Sequence, residues 1–105
     1  MIFIETAIFT KIITDILPDT SYRVLQHTLL LRPETGKIIP GSGGLRKIRW
    51  GLDRHGKRGG IRIIYYWDVS QDTIYMLLAF KKNQQEDLTP EQLRFLRDLI
   101  KEWLA

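Results

Sequence analysis

Two runs rich in β-branched and aromatic residues, separated by only three residues, constrain the fold of this chain most strongly. The first run, IRIIYYWDV, covers residues 61–69, and the second, TIYMLLAF, covers residues 73–80. Such residues favour strands, and the intervening Ser70-Gln71-Asp72 is short enough for a tight turn. The sequence therefore predicts an antiparallel hairpin. The second run is almost wholly apolar, which is typical of a central strand buried on both faces.

The rest of the chain adds three helices and two strands to this hairpin. Apolar residues at the three-four spacing of a helix occur twice before residue 33 and once at the C-terminal end. The last of these helices opens with Thr89-Pro90-Glu91-Gln92, a capping box with proline at the first helical position. The predicted elements are, in order, a strand at 2–4, a helix from Thr6 to about Leu17, a helix from Asp19 to Pro33, strands at 45–50, 61–69 and 73–80, and a helix from Thr89 onward.

The order β-α-α-β-β-β-α predicts an α+β fold with a small, mostly antiparallel sheet and helices packed on one face. A length of 105 residues predicts a single domain spanning 1–105. The segment PETGKIIPGSGG, at 33–44, is rich in glycine and proline and predicts a loop with little to pack.

Composition excludes several kinds of chemistry. The chain has no cysteine, so disulfides, thiolate metal sites and cysteine nucleophiles are absent, as suits a reducing cytosol. No histidines and carboxylates cluster at ligand spacing, so we expect neither a metal nor another cofactor. The apolar start lacks a basic leader and a cleavage site, and no run reaches the ~18 apolar residues of a membrane span. We therefore expect a cytoplasmic protein without a membrane partner.

Residues 46–62, RKIRWGLDRHGKRGGIR, form a basic segment that differs from the rest of the chain. Seven cations against Asp53 give it a local charge of +6, whereas the whole chain carries +4, so the other 88 residues sum to −2. Two strands joined by a basic glycine-rich loop are typical of a nucleic-acid contact, although a merely solvated hairpin loop is the simpler alternative. The cations are Arg46, Lys47, Arg49, Arg54, Lys57, Arg58 and Arg62.

Arg62 has a special position within this segment. It lies between Ile61 and Ile63 in a predicted strand, so its side chain should project from the opposite face of the sheet. A rigidly held arginine can stabilise the charge of a transition state, although most strand arginines are surface residues. Lys81 and Lys82, at the end of the next predicted strand, would extend the positive surface, or would simply protect a sheet edge.

Two further residue types offer chemistry at the same place. His55, in the predicted loop, is a candidate general acid or base, because histidine is the side chain suited to that role near neutral pH. Tyr65 is a candidate platform for a stacked base. Core packing is the competing interpretation of this tyrosine, and a solvated loop residue is the competing interpretation of the histidine.

The blocks GSGGLRKIRW, GGIRIIYYW and LLAFKKNQQEDLTPEQ, in this order, resemble the RelE/ParE superfamily of bacterial toxins, in its HigB/RelE-like branch. The resemblance covers essentially the whole chain and implies a compact α+β fold with a curved antiparallel sheet. It also implies a ribosome-dependent mRNA endonuclease, or mRNA interferase, that cuts mRNA in the A site of the 30S subunit and inhibits translation. A cognate antitoxin, attached to a DNA-binding domain, would neutralise it.

The resemblance also implies roles for individual residues. The reaction would be a metal-independent attack of a ribose 2′-OH on the adjacent phosphate, with Arg62 and Lys82 as transition-state cations. The resemblance assigns no residue to the proton transfer, and Lys57 and His55 are our candidates for it. Several relatives carry a tyrosine where this chain has Asp87-Leu88. The residues expected to contact RNA or the ribosome are Arg46, Lys47, Arg49, Arg54, Arg58, Lys81 and Tyr65.

Two other functions remain open at this point. A ParE-like toxin poisons DNA gyrase without cutting RNA, but such chains usually lack a concentrated basic set around the hairpin loop. A non-catalytic RNA-binding module would keep the basic surface without the chemistry, and an alanine at Arg62 would distinguish it from an enzyme.

Overall fold

The computed structural model describes residues 1–51 and 60–105, and within these ranges it contains five strands and three helices. The predicted α+β class is confirmed. The elements are β1 (Ile2–Glu5), α1 (Ala7–Ile16), α2 (Asp19–Leu31), β2 (Lys37–Ile38), β3 (Arg46–Trp50), β4 (Ile61–Asp68), β5 (Thr73–Lys81) and α3 (Pro90–Leu104).

The strands form one mixed sheet in the order β1-β5-β4-β3-β2. Strands β2, β3, β4 and β5 pair antiparallel with their neighbours, whereas β1 runs parallel to β5. The predicted hairpin is therefore present as β4 and β5. Strand β5 lies between β1 and β4, which confirms the prediction that this apolar run is an internal strand.

A β-bulge interrupts the pairing of β4 with β5. Tyr65 pairs with Met76, but the preceding Ile64 pairs with Leu78, so Leu77 is an extra residue on β5. Side chains alternate between the two faces of a sheet, and one inserted residue therefore inverts the facing of every residue beyond it. Each side chain of β5 after the bulge therefore projects from the opposite face of the sheet to the one it would have if the pairing set by the turn continued unchanged.

Helices cover both faces of the sheet, so the prediction that they pack on one face is wrong. On one face, α1 and α2 contribute residues such as Phe9 and Leu25 to a core cluster with Ile63. On the other, α3 packs against a second cluster that includes Ile64. The reason is that successive residues of β4 and β5 are apolar, so both faces of these strands need a cover.

Side-chain caps fix where two of the helices begin. Thr6 accepts a hydrogen bond from the Phe9 amide at 3.0 Å, and its hydroxyl also donates to the Leu77 carbonyl at 2.8 Å, which ties α1 to the bulge of β5. The predicted capping box of α3 is confirmed, because Thr89 and Gln92 each bond to the other's backbone amide. None of the helices in the described ranges has the length and apolar character needed to cross a bilayer.

The segment 33–44 is anchored rather than loose, which corrects the expectation that it has little to pack. It contains β2, which pairs with β3. The Tyr65 hydroxyl accepts from the Gly36 amide at 2.8 Å and donates to the Pro33 carbonyl at 2.7 Å. A Cβ added to Gly36 would lie only 2.8 Å from the Tyr65 ring, so this close approach requires glycine.

Candidate nucleic-acid interface

The strand register places Arg62 on the face of the sheet that α3 covers. Arg62 pairs with Arg49 of β3 on one side and with Phe80 of β5 on the other. Its neighbours Ile61 and Ile63 belong to the cluster on the opposite face. The prediction that Arg62 projects from the face opposite these two isoleucines is therefore confirmed.

The Arg62 side chain is buried although it carries a charge. The residue is 6% exposed, and within residues 1–51 and 60–105 its Nη1 atom has no hydrogen-bond partner. Burial lowers the pKa of Arg62, and the positive charge of Arg49 lowers it further, against a smaller opposing effect of Asp87. An arginine nevertheless remains protonated in proteins. The result is a desolvated cation with unused donor capacity.

Arg49 and Arg62 line a cleft of about 320 Å³ together with Trp50, Gly51 and Gly60. The two arginines occupy directly opposite positions on neighbouring strands, where like charges destabilise a sheet. Guanidinium groups present planar pairs of N–H donors that match the oxygens of a phosphate. An anion in this cleft would relieve the repulsion and would accept a hydrogen bond from Arg62 Nη1, so the arrangement suits phosphate binding.

Lys47 and Asp87 form an ion pair beside these arginines. Lys47 pairs with Ile64 and so shares the Arg62 face, and its Nζ lies 3.0 Å from Asp87 Oδ1. Burial raises the pKa of the Asp87 carboxyl, but hydrogen bonds from Lys47 and the Leu88 amide, with the charges of Lys47 and Arg62, outweigh it and lower the pKa overall. Asp87 is thus an anion within the cationic cluster.

The sequence alone does not connect Asp87 with this site. Asp87 lies forty residues beyond Lys47 in the chain, and no local pattern links the two. The one signal in the sequence was that several members of the family that this chain resembles carry a tyrosine at this position.

Lys81 and Lys82, at the end of β5, belong to opposite faces of the sheet. Lys82 follows the strand, and its amide donates to the carbonyl of Gly60, a residue that lines the cleft, at 3.2 Å. Lys81 pairs with Ile61, and this register assigns it to the face opposite Arg62. The structure therefore brings Lys82 next to the cleft and turns Lys81 away from it.

Arg46 and Tyr65 also lie on the opposite face, paired with each other. The Arg46 guanidinium lies 6.0 Å from the centre of the Trp67 ring, and its Nη1 donates to the Gly36 carbonyl at 2.8 Å. Tyr65 is 0% exposed. A fully buried ring cannot stack on a base, so the expected contact of Tyr65 with RNA is corrected to a structural role in anchoring segment 33–44.

The remaining predicted site residues lie between β3 and β4 in the chain. Arg54, His55, Lys57 and Arg58 fall in 52–59, outside the described residues. In the ranges 1–51 and 60–105, no three histidine, aspartate or glutamate side chains come together as they would around a metal ion.

Comparison with known proteins identifies the fold. No protein-family model matches the chain. Among solved structures, a variant of the E. coli toxin RelE with two arginine-to-alanine substitutions, in the free state, superposes with a TM-score of 0.58 over 81% of this chain and 86% of that one. The chain has the RelE-like fold. The sequence identity of 17% means that this likeness concerns the backbone and not the residues of a site.

Proposed function

We propose that this protein is the toxin of a bacterial toxin–antitoxin system and that it cleaves mRNA on the ribosome. The observation that carries the proposal is the buried Arg62 opposite Arg49 at an open cleft, with a guanidinium nitrogen, Nη1, that has no hydrogen-bond partner among the described residues. Such a site is organised for a phosphate before the substrate arrives. The RelE-like fold supports the same conclusion, since the RelE structure is described as that of a toxin.

The proposed reaction is transfer of a phosphoryl group within the RNA. The ribose 2′-oxygen bonds to the adjacent phosphorus as the bond to the 5′-oxygen breaks, which yields a 2′,3′-cyclic phosphate and a 5′-hydroxyl. Negative charge builds on the phosphoryl oxygens in the transition state. Arg62 stabilises that charge, with Lys82 beside it, and a rigid strand holds the guanidinium in place before the reaction begins.

Other residues of the chain bind the substrate and move the proton. Lys47 and Arg49, on the Arg62 face, contact the RNA backbone in this proposal. Arg54 and Arg58, which lie between β3 and β4 in the chain, add further phosphate contacts. Lys57 or His55 takes the proton from the 2′-hydroxyl and returns one to the 5′-oxygen, as general acid–base catalysis requires.

A cognate antitoxin is the proposed partner that keeps the toxin inactive in the cytoplasm. An acidic segment of that partner, attached to a DNA-binding domain, would neutralise the cluster around Arg62. Exposed apolar side chains on α1 and α3 also favour a protein partner: Ile8 and Phe95 line a cleft together with Leu78, and such patches often mark interaction sites.

Primer extension on a reporter mRNA tests the proposal directly. Purified protein is added to a reconstituted translation system and, separately, to the same mRNA without ribosomes. We expect cuts within codons that appear only with translating ribosomes. Intact mRNA with normal translation would overturn the proposal, and DNA breaks in a parallel gyrase assay would then identify a ParE-like toxin.

A further inference from the structure

Another cavity lies at the other end of β4, on the face that α3 covers. Its volume is about 560 Å³, and it is lined by three aromatic rings and one carboxylate, those of Tyr66, Tyr75, Trp103 and Asp68, with Ser70 at the turn. The cation cluster around Arg62 contributes none of these residues. This cavity is therefore separate from the site around Arg62.

The aromatic rings form a continuous wall. Tyr75 lies in the middle, with its ring centre 6.5 Å from that of Tyr66 and 5.3 Å from that of Trp103. The planes are tilted by 43° and 41°, and all three rings border the same cavity. The electron-rich faces of tyrosine and tryptophan attract cations that approach within about 6 Å.

Asp68 provides a negative charge at the same place. It is only 7% exposed, and its Oδ1 accepts two hydrogen bonds from Ser70, at 3.2 Å from the amide and 2.8 Å from the hydroxyl. No lysine or arginine of the described residues forms a salt bridge with it. A buried carboxylate without a cationic partner is costly, and this one borders an open cavity.

We propose that this cavity binds an organic cation, an alkylammonium or guanidinium group, with its charge against Asp68 and its apolar part on the rings of Tyr66, Tyr75 and Trp103. An aromatic wall beside a carboxylate is the arrangement that recognises such groups. The cation is either an arginine or lysine side chain of a protein or a free diamine. The inference is independent of the proposed RNA cleavage.

The two sites are far enough apart to be tested separately. Asp68 lies six residues beyond Arg62 on β4, a distance of roughly 20 Å along an extended strand. Changes at Asp68 should therefore leave ribosome-dependent cleavage unchanged. If the cavity bound no cation, the proposed RNA cleavage would not be weakened. If the protein cleaved no RNA, the proposed cation binding would not be weakened either.

Nuclear magnetic resonance on isotope-labelled protein tests the proposal, with the indole N–H of Trp103 as the reporter. The probes are N-acetyl-arginine amide and putrescine, and the neutral control is N-acetyl-citrulline amide, which has nearly the shape of the arginine derivative. We expect a saturable shift of the Trp103 signal with the cations and none with the citrulline derivative. Tighter binding of the arginine derivative would indicate a protein side chain, and tighter binding of putrescine a free diamine.

The substitution Asp68→Asn removes the charge but keeps the oxygen that accepts from Ser70, so the turn should persist. We expect about tenfold weaker binding or more, the value of a charge-assisted hydrogen bond. Asp15→Asn, at an exposed position of α1, is the matched control. Equal response to the citrulline derivative, or unchanged affinity in a folded Asp68→Asn protein, would overturn the proposal. If that variant does not fold, Trp103→Leu replaces it, with the Ser70 amide as reporter.

Discussion

Arg62 combines two properties that oppose each other in a stable protein, since it is charged and only 6% exposed. Removing a cation from water is costly unless partners compensate, and the residue directly opposite is another arginine, Arg49. The site therefore carries an electrostatic cost in the free protein. A phosphate in the cleft would offset that cost, which explains why a stable sheet would keep an arginine at this position.

The substitution Arg62→Met should therefore not destabilise the protein. Methionine fills a similar volume and has neither a charge nor an unsatisfied donor, so we expect the free energy of unfolding to stay the same or to rise by about 1 kcal/mol. Urea denaturation measures this directly. A loss of more than about 1 kcal/mol would show that the guanidinium makes a stabilising contact in the free protein.

Asp87 should make stability depend on pH. Its pKa in the folded protein lies below its ordinary value of 3.8, so the carboxylate stabilises the fold above that value, and the contribution is lost as pH falls through the lowered pKa. We expect Asp87→Asn to be less stable than wild type at neutral pH, and the difference to disappear in acid. In a Lys47→Met background the difference should be much smaller at every pH. A difference that does not change with pH would contradict this account.

At the level of elements, the bulge at Leu77 decides which lysine reaches the cleft. Between Asp68 and Tyr65 the hairpin keeps the register set by its turn, and continued unchanged this register would pair Gly60 with Lys81. The extra residue shifts the pairing by one, so Lys82 instead bonds to Gly60. A sequence predicts the hairpin from its strand formers, but it carries no comparable signal for a single inserted residue.

The start of α3 offers a test at the same scale. Thr89 accepts from the Gln92 amide at 3.1 Å, and the Gln92 side chain accepts from the Thr89 amide at 3.0 Å. We expect Thr89→Ala to lower the free energy of unfolding by about 1 kcal/mol, the usual effect of losing an N-cap. Thr14→Ala, at an exposed position within α1, is the matched control and should have no such cost. Equal effects of the two substitutions would show that the cap does not stabilise α3.

At the level of the whole molecule, the sequence predicts the elements better than their arrangement. Within residues 1–51 and 60–105, apolar spacing located the three helices and strand-forming residues located four of the five strands, but β2 is two residues long and too short for a pattern. The face that each helix covers depends on contacts between distant segments. The direction of Tyr65, by contrast, could have been predicted from the sequence. Strict alternation places it on the same face of the sheet as Ile61 and Ile63, away from Arg62.

The cluster of charges around Arg62 shows the same division. Alternation predicted the facing of Arg62 from its neighbours. It did not predict the approach of Asp87 to Lys47, which depends on where the chain runs after β5. The sequence therefore predicted the direction of a side chain where one strand decides it, and it did not predict a contact between two distant segments.

The rate of mRNA cleavage by the Arg62→Met protein tests the central claim most directly. Translating ribosomes are mixed with excess wild-type protein, Arg62→Met or Arg23→Met, and cleaved mRNA is followed by primer extension over time. Arg23, an exposed residue of α2, controls for the loss of one positive charge. We expect Arg62→Met to cut at least about a hundredfold more slowly and Arg23→Met to cut like wild type. Cleavage by folded Arg62→Met at the wild-type rate would contradict the account.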